Sequence, residues 1–205
     1  MANNDLRNIG AFVSTGNPQT VNEAPATAFA PGQLGSYTVT MDSIAIPSAA
    51  NDLPTGAFPR VWQYVQLDAS SATPAFGQMV CWLNNTSFVV STATSTVKRN
   101  RVAGFIQSAS VTLGNYIFIL VGGVGAVLTE AGQTPAADDA LIAGASTAGR
   151  AGVMAQGAAS NGAALPLGIS ALGYFLGAKT VAFSTSSALP TDTCAAVLTI
   201  PRIGA

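Results

Sequence analysis

Val61-Trp62-Gln63-Tyr64-Val65-Gln66-Leu67 decides the fold class. Read at a period of two and rich in β-branched and aromatic residues, it suits a pleated strand and not a helix. Gly77-Gln78-Met79-Val80-Cys81-Trp82-Leu83 follows, then an Asn84-Asn85 turn, and Ser87-Phe88-Val89-Val90 completes a hairpin. Further strands are predicted over 102–107, 115–121, 123–128, 140–143, 151–156, 167–171, 180–184 and 196–200, punctuated by Gly, Asn, Asp and Pro. Helix-period segments are nearly absent. Residues 136–143 have room for a helical turn, but Asp138-Asp139 suits a loop entering a strand. Many short strands at this spacing predict an all-β chain, with a compact β-sandwich or barrel-like domain over 61–205.

The longest apolar stretch runs from Tyr116 to Leu128 with three glycines inside. A membrane-spanning helix needs about 20 apolar residues, so this run predicts two buried strands joined by a glycine turn. Gly122-Gly123-Val124-Gly125 is that turn. It lacks the third glycine, the following helix and the βαβ setting of a dinucleotide loop. Val80, Trp82, Ile106, Ile117, Ile119, Val121 and Val197 are the expected core. Cys81 and Cys194 lie in apolar strands and are too few for a disulfide scaffold, so buried thiols are expected, with a single bond between the two as the alternative. A weak echo links 104–119 to 168–183, each with a Gly-to-Gly interval followed by an apolar strand, which fits a duplicated β unit or the rhythm of any antiparallel sheet.

The first 60 residues differ. They hold six of the eleven prolines, at 18, 25, 31, 47, 54 and 59. Proline at this density removes backbone donors and blocks long helices and central strands. Short extended pieces at 37–41 and 44–46 are compatible with it. Ordering a segment costs roughly 1–2 kcal/mol of backbone entropy per residue, so an ordered arm must bury apolar surface. Residues 1–60 are therefore read as an extended Pro-rich N-terminal arm lying on its own core or on a neighbouring subunit. Phe12, Val13, Phe29 and Phe58 are its expected anchors at subunit interfaces.

The 205-residue chain contains no histidine, and its 8 Lys+Arg and 9 Asp+Glu give a net charge of −1. Most catalysis needs side chains tuned to titrate near neutrality, so no enzyme activity is expected. Carboxylates such as Asp68, Glu130, Asp138 and Asp139 are scattered, and neither Ser nor Cys has a His partner. No cofactor or metal site is expected, because no ligand-spaced cluster exists. Nucleic acid needs a basic face, and the one basic cluster, Lys98, Arg99 and Arg101, reads as a charged loop. The opening Met-Ala-Asn-Asn-Asp predicts no signal peptide, so the overlapping glycosylation sequons headed by Asn84 and Asn85 carry little weight, and no membrane partner is expected. Trp62, Tyr64, Trp82, Tyr116 and Tyr174 would suit a sugar-binding face, but on strands they are expected in the core or an interface. Near-neutral charge favours association.

Three stretches carry a family resemblance. They are Phe76 to Trp82; Arg101 to Ile106 with Gly114 to Gly123; and Asp139 to Ala143 with Gly149-Arg150-Ala151, Leu167 to Leu172 and Ala196 to Ile200. Their rhythm resembles the capsid decoration (cement) and minor capsid proteins of tailed bacteriophages, in texture more than by a signature motif, over roughly 61–205. The resemblance implies a virion structural protein made in the host cytoplasm. It would bind the outer surface of the head, brace capsomer junctions, and have the major capsid protein and other copies of itself, as a homotrimer, for partners. The alternative is a receptor- or glycan-binding module of a head fibre or tail adhesin.

Overall fold

The computed structural model describes residues 18, 21–25, 34–43, 57–84, 86–92, 101–108, 110–144, 147–154, 171–176 and 192–200. Its strands are β1 (Asn22–Glu23), β2 (Tyr37–Ser43), β3 (Ala57–Leu67), β4 (Met79–Asn84), β5 (Val89–Ser91), β6 (Val102–Ile106), β7 (Tyr116–Leu128), β8 (Ala140–Ala143), β9 (Ala151–Met154), β10 (Gly173–Phe175) and β11 (Thr193–Thr199). All belong to one mixed sheet, and the chain is all-β among the described residues.

The pairings close two circuits that share β7. In the first, β3 runs parallel to β5, β5 pairs with β4, β4 with β6, β6 with β7, and β7 returns to β3. In the second, β7 pairs with β11, β11 with β10, β10 with β8 and β8 with β9. A parallel bridge from Thr129 to Ala151 then joins β9 to the end of β7. Closure leaves few open edges, which is the barrel-like form of the predicted architecture.

Strand parity sorts the core. Val65 and Leu67, Val80 and Trp82, Val90, Ala103 and Ile106, and Ile117, Ile119 and Val121 fill the first ring. The alternate residues Trp62, Tyr64, Met79, Cys81, Phe105, Phe118 and Leu120 join Leu141, Phe175, Cys194, Ala196 and Leu198 in a second cluster. Each fully buried aliphatic side chain stabilises by roughly 1.5–3 kcal/mol. β7 is buried on both faces, which is why its sequence reads as an unbroken apolar run.

That run is one strand of 13 residues, which corrects the expectation of two strands and a glycine turn. The chain bends at Gly122-Gly123 without reversing, and the ladder hands over there from β3 to β11. Gly123 makes this possible through a left-handed φ of +88°. Val197 is a second correction. It is half-buried, because β11 turns Cys194, Ala196 and Leu198 inward. The other six expected core residues are buried. β10 lies at 173–175, beyond the predicted strand over 167–171: Ala171 lies outside it, and 167–170, like 44–46 and 180–184, lie outside the described residues. Asp138 and Asp139 do form a loop entering β8. Both cysteines are buried and form no disulfide.

Candidate interaction surfaces

Besides residues 57–60, which open β3, two pieces of the first sixty residues are described as strands, and both lie on the chain's own core. β2 pairs with β3 from Tyr37 opposite Gln63 to Ser43 opposite Ala57. β1 pairs with the start of β7 through Asn22 opposite Ile117 and Glu23 opposite Tyr116. A two-residue strand contributes little ladder, so side chains supply the rest. Asn22 donates from Nδ2 to Thr112 Oγ1 at 3.2 Å, and its Oδ1 accepts from the Thr112 N–H at 3.1 Å and Asn115 Nδ2 at 3.0 Å. The Tyr64 hydroxyl donates to Glu23 Oε2 at 2.9 Å. Val21 packs into the core beside this polar clip. Asn22→Ala should cost about 0.5–1.5 kcal/mol, since it removes hydrogen bonds to exposed Thr112 and half-buried Asn115. Limited proteolysis should then cut the N-terminal segment from the core faster than in the parent chain.

Tyr64 is fully buried. Burial raises its phenol above the ordinary 10.0, and the Glu23 carboxylate, through its hydrogen bond and its charge, raises it further. The fold therefore favours the neutral phenol. That contribution is complete below the unfolded value near 10.0 and is lost as pH climbs above it. In alkaline titration the Tyr64 phenolate should appear only with unfolding, and Tyr64→Phe should flatten the loss of stability above that pH. An early, independent phenolate signal in the folded chain would contradict this.

Where β7 bends, Gln107 serves as a substitute strand. Its Nε2 donates to Ala126 O at 2.8 Å, and its Oε1 accepts from the Ala126 N–H at 2.8 Å. The Arg60 Nη2 donates to the same Oε1 at 3.3 Å. Arg60 lies 4.5 Å over the Trp62 ring, and Trp62 Nε1 donates to Thr40 Oγ1 at 2.8 Å. The result is a buried, hydrogen-bonded polar bridge from β2 and β3 to β7, which fixes the two rings against each other.

The residues singled out in the sequence fall as follows. Phe12, Val13 and Phe29 lie outside the described residues; Phe58 sits in β3 with its backbone opposite Asp42, and its side chain is not described. Trp62, Tyr64, Trp82 and Tyr116 are core, and only Tyr174, at 42% exposure, reaches the surface. Three of the four carboxylates accept local hydrogen bonds. Asp68 accepts from Ser70 Oγ, Glu130 from the Thr147 N–H at 3.2 Å and Asp139 from the Ala136 N–H at 2.8 Å. Asp138 holds a left-handed turn at φ +67°. Asp192, which was not singled out, pairs with Arg150 at 2.8 Å. Among the described residues, no group of three or more His, Cys, Asp or Glu is placed to hold a metal. Arg101 is exposed, while Lys98 and Arg99 lie outside the described residues. No helix among the described residues is long and apolar enough to cross a membrane. Asn22, Glu23, Thr112, Asn115 and Gln107 were missed, because their partners are distant in sequence. The one local signal was a lone glutamine ending the apolar run 102–106.

What this geometry defines is a closed β scaffold with a strapped N-terminal segment. No family model matches the sequence, and no curated protein matches it. Among solved structures, the N base of the head fibre protein gp8.5 of bacteriophage phi29 is similar at 12% identity with a TM-score of 0.40, over 70% of this chain and 99% of that one. A likeness this slight carries no functional argument.

Proposed function

We propose that the protein is a non-enzymatic structural component of a tailed-phage virion, a decoration or cement protein on the outer surface of the head. Its partners would be the major capsid protein and further copies of itself, as a homotrimer. The observation that carries this reading is the pairing of a cross-braced two-ring core with extended N-terminal segments held by backbone pairing and a polar clip. A brace must resist deformation, and closed strand circuits do so. The described N-terminal segments tighten the chain's own core, so contact with neighbours would come from its outer surfaces; obligate interfaces bury on the order of 2,000 Å² or more. Net charge of −1 suits dense packing of many copies. The resemblance of residues 61–205 to decoration proteins points the same way.

The adhesin reading needs an aromatic platform. Burial of Trp62 and Trp82 removes the two side chains it would depend on most. The direct test of bracing is to add the purified chain to expanded shells that lack it and follow their disruption by heat. A higher disruption temperature, saturating at a fixed ratio of chain to shell protein, is expected. Shells indifferent to the chain would refute the reading.

A further inference from the structure

Val21-Asn22-Glu23 fills a gap in a strand ladder. β3 holds one edge of β7 from Tyr116 onward. β6 follows the opposite edge as far as Ile106 opposite Ile119, then leaves it. β1 takes up that vacated edge at Ile117 and Tyr116. Each residue of the strap is read separately. Val21, 8% exposed, packs into the second core cluster. The Asn22 side-chain amide both donates to and accepts from Thr112, and Asn115 Nδ2 donates to its Oδ1 at 3.0 Å and to the Asn22 carbonyl at 3.5 Å. Glu23 accepts from the Tyr64 hydroxyl. Strand addition at a sheet edge, with backbone pairing for affinity and side-chain contacts for specificity, is a mode of peptide recognition. Among the described strands β1 pairs with β7 alone, so it can come away without undoing another ladder.

The tether is longer than this docking requires. From Pro25, after the strap, to Leu34, before β2, is nine residue steps (25 to 34), about 30 Å when extended. The strap and β2 are separated by β7 and β3, and their ends lie at nearly one level, with Glu23 opposite Tyr116 and Gly35 bonded to Tyr64. Three strand spacings are about 14 Å. The tether therefore has about twice the length that its own core demands.

We infer that this gap in β7 is a strand-addition site whose ligand, where copies stand side by side, is the Val21-Asn22-Glu23 segment of a second copy, so that neighbours exchange straps. The contacts select the occupant. The site takes an apolar residue, an amide and a carboxylate in that order, and a second copy carries the same three. Exchange keeps every strap contact, which makes swapping a low-cost route to association. What cis docking retains is proximity: a short tether holds its end at a roughly millimolar effective concentration, which neighbours packed on a lattice match. The strap that tightens its own core in the single chain then tightens its neighbour's, in addition to contacts between outer surfaces. This inference rests on the self-association part of the assembly reading and extends it by naming the segment and its receiving site.

Two singly substituted full-length chains test it, Asn22→Cys as strap donor and Asn115→Cys as receiver. Both native cysteines are buried, and neither variant can close the new bond within itself. The same two substitutions in one chain show that the bond forms; if they do not close it, Thr112→Cys replaces Asn115→Cys. Circular dichroism checks folding. The mixed chains are incubated at rising concentration, oxidised and resolved without reductant. Dimers joining one of each variant should exceed those from either variant alone by about tenfold or more, the advantage of specific docking over collision. Adding Val21→Asp to the donor should remove that excess, because the strap then lacks its apolar anchor. A mixture with no excess at any concentration, or an excess that survives Val21→Asp, would overturn the inference. Shells protected from heat by a chain that never cross-links in this way would leave the virion reading standing and this inference refuted.

Discussion

Trp82→Ala is expected to cost about 3–5 kcal/mol, the range for truncating a buried Trp or Phe. Trp82 is 2% exposed, lies within the first ring, and meets Phe88 edge-on at 6.0 Å between ring centres. Nothing on β4 or β5 can collapse far into the space it would leave, because both strands are paired along each edge. Domains of this size have roughly 5–15 kcal/mol of stability, so a large part would disappear. Chemical denaturation measures the loss directly. A variant of near-parent stability that had lost binding to a glycan would show instead that Trp82 is a ligand platform, and would revive the adhesin reading.

Gly123→Ala is the second large effect. The residue has φ +88°, and a Cβ there would overlap the Pro59 carbonyl oxygen and lie 3.1 Å from Arg60 Cα. Left-handed strain contributes about 1–2 kcal/mol and overpacking against rigid backbone about 1–3 more. Gly132 provides an internal control. It has φ +80° with nothing within 4 Å of a built Cβ, so Gly132→Ala should show the strain alone, about 1–2 kcal/mol. The gap between the two variants in chemical denaturation isolates the contact of β3 with the bend of β7. Equal losses at both positions would mean that β3 does not press on that bend.

The strands were legible where β-branched and aromatic residues run between turn residues, as over 61–67 and in the hairpin of 79–91, although β3 and β4 are buried on both faces. β7 was misread because periodicity vanishes when both faces are buried, and Gly122-Gly123 then resembles a turn when it is a bend within one ladder. Val197 was misplaced because hydrophobicity alone does not fix parity; its neighbours Cys194 and Ala196 are small, yet they face inward. The second ring was illegible as a ring, since the Thr129–Ala151 bridge and the separation of β10 from its partners leave no local mark. The polar clip was hidden for the same reason, since Asn22 meets Thr112 and Asn115 across about ninety positions of sequence.

The central claim is that this chain belongs to a phage particle as a repeated structural element. Density-gradient purification of particles from the source lysate, with this chain quantified against the major shell protein, tests it most directly. The account predicts co-migration at a fixed stoichiometry of tens to hundreds of copies per particle, on the order expected for a lattice-repeated brace whose contacts add through multivalency. A chain absent from the particles would contradict it.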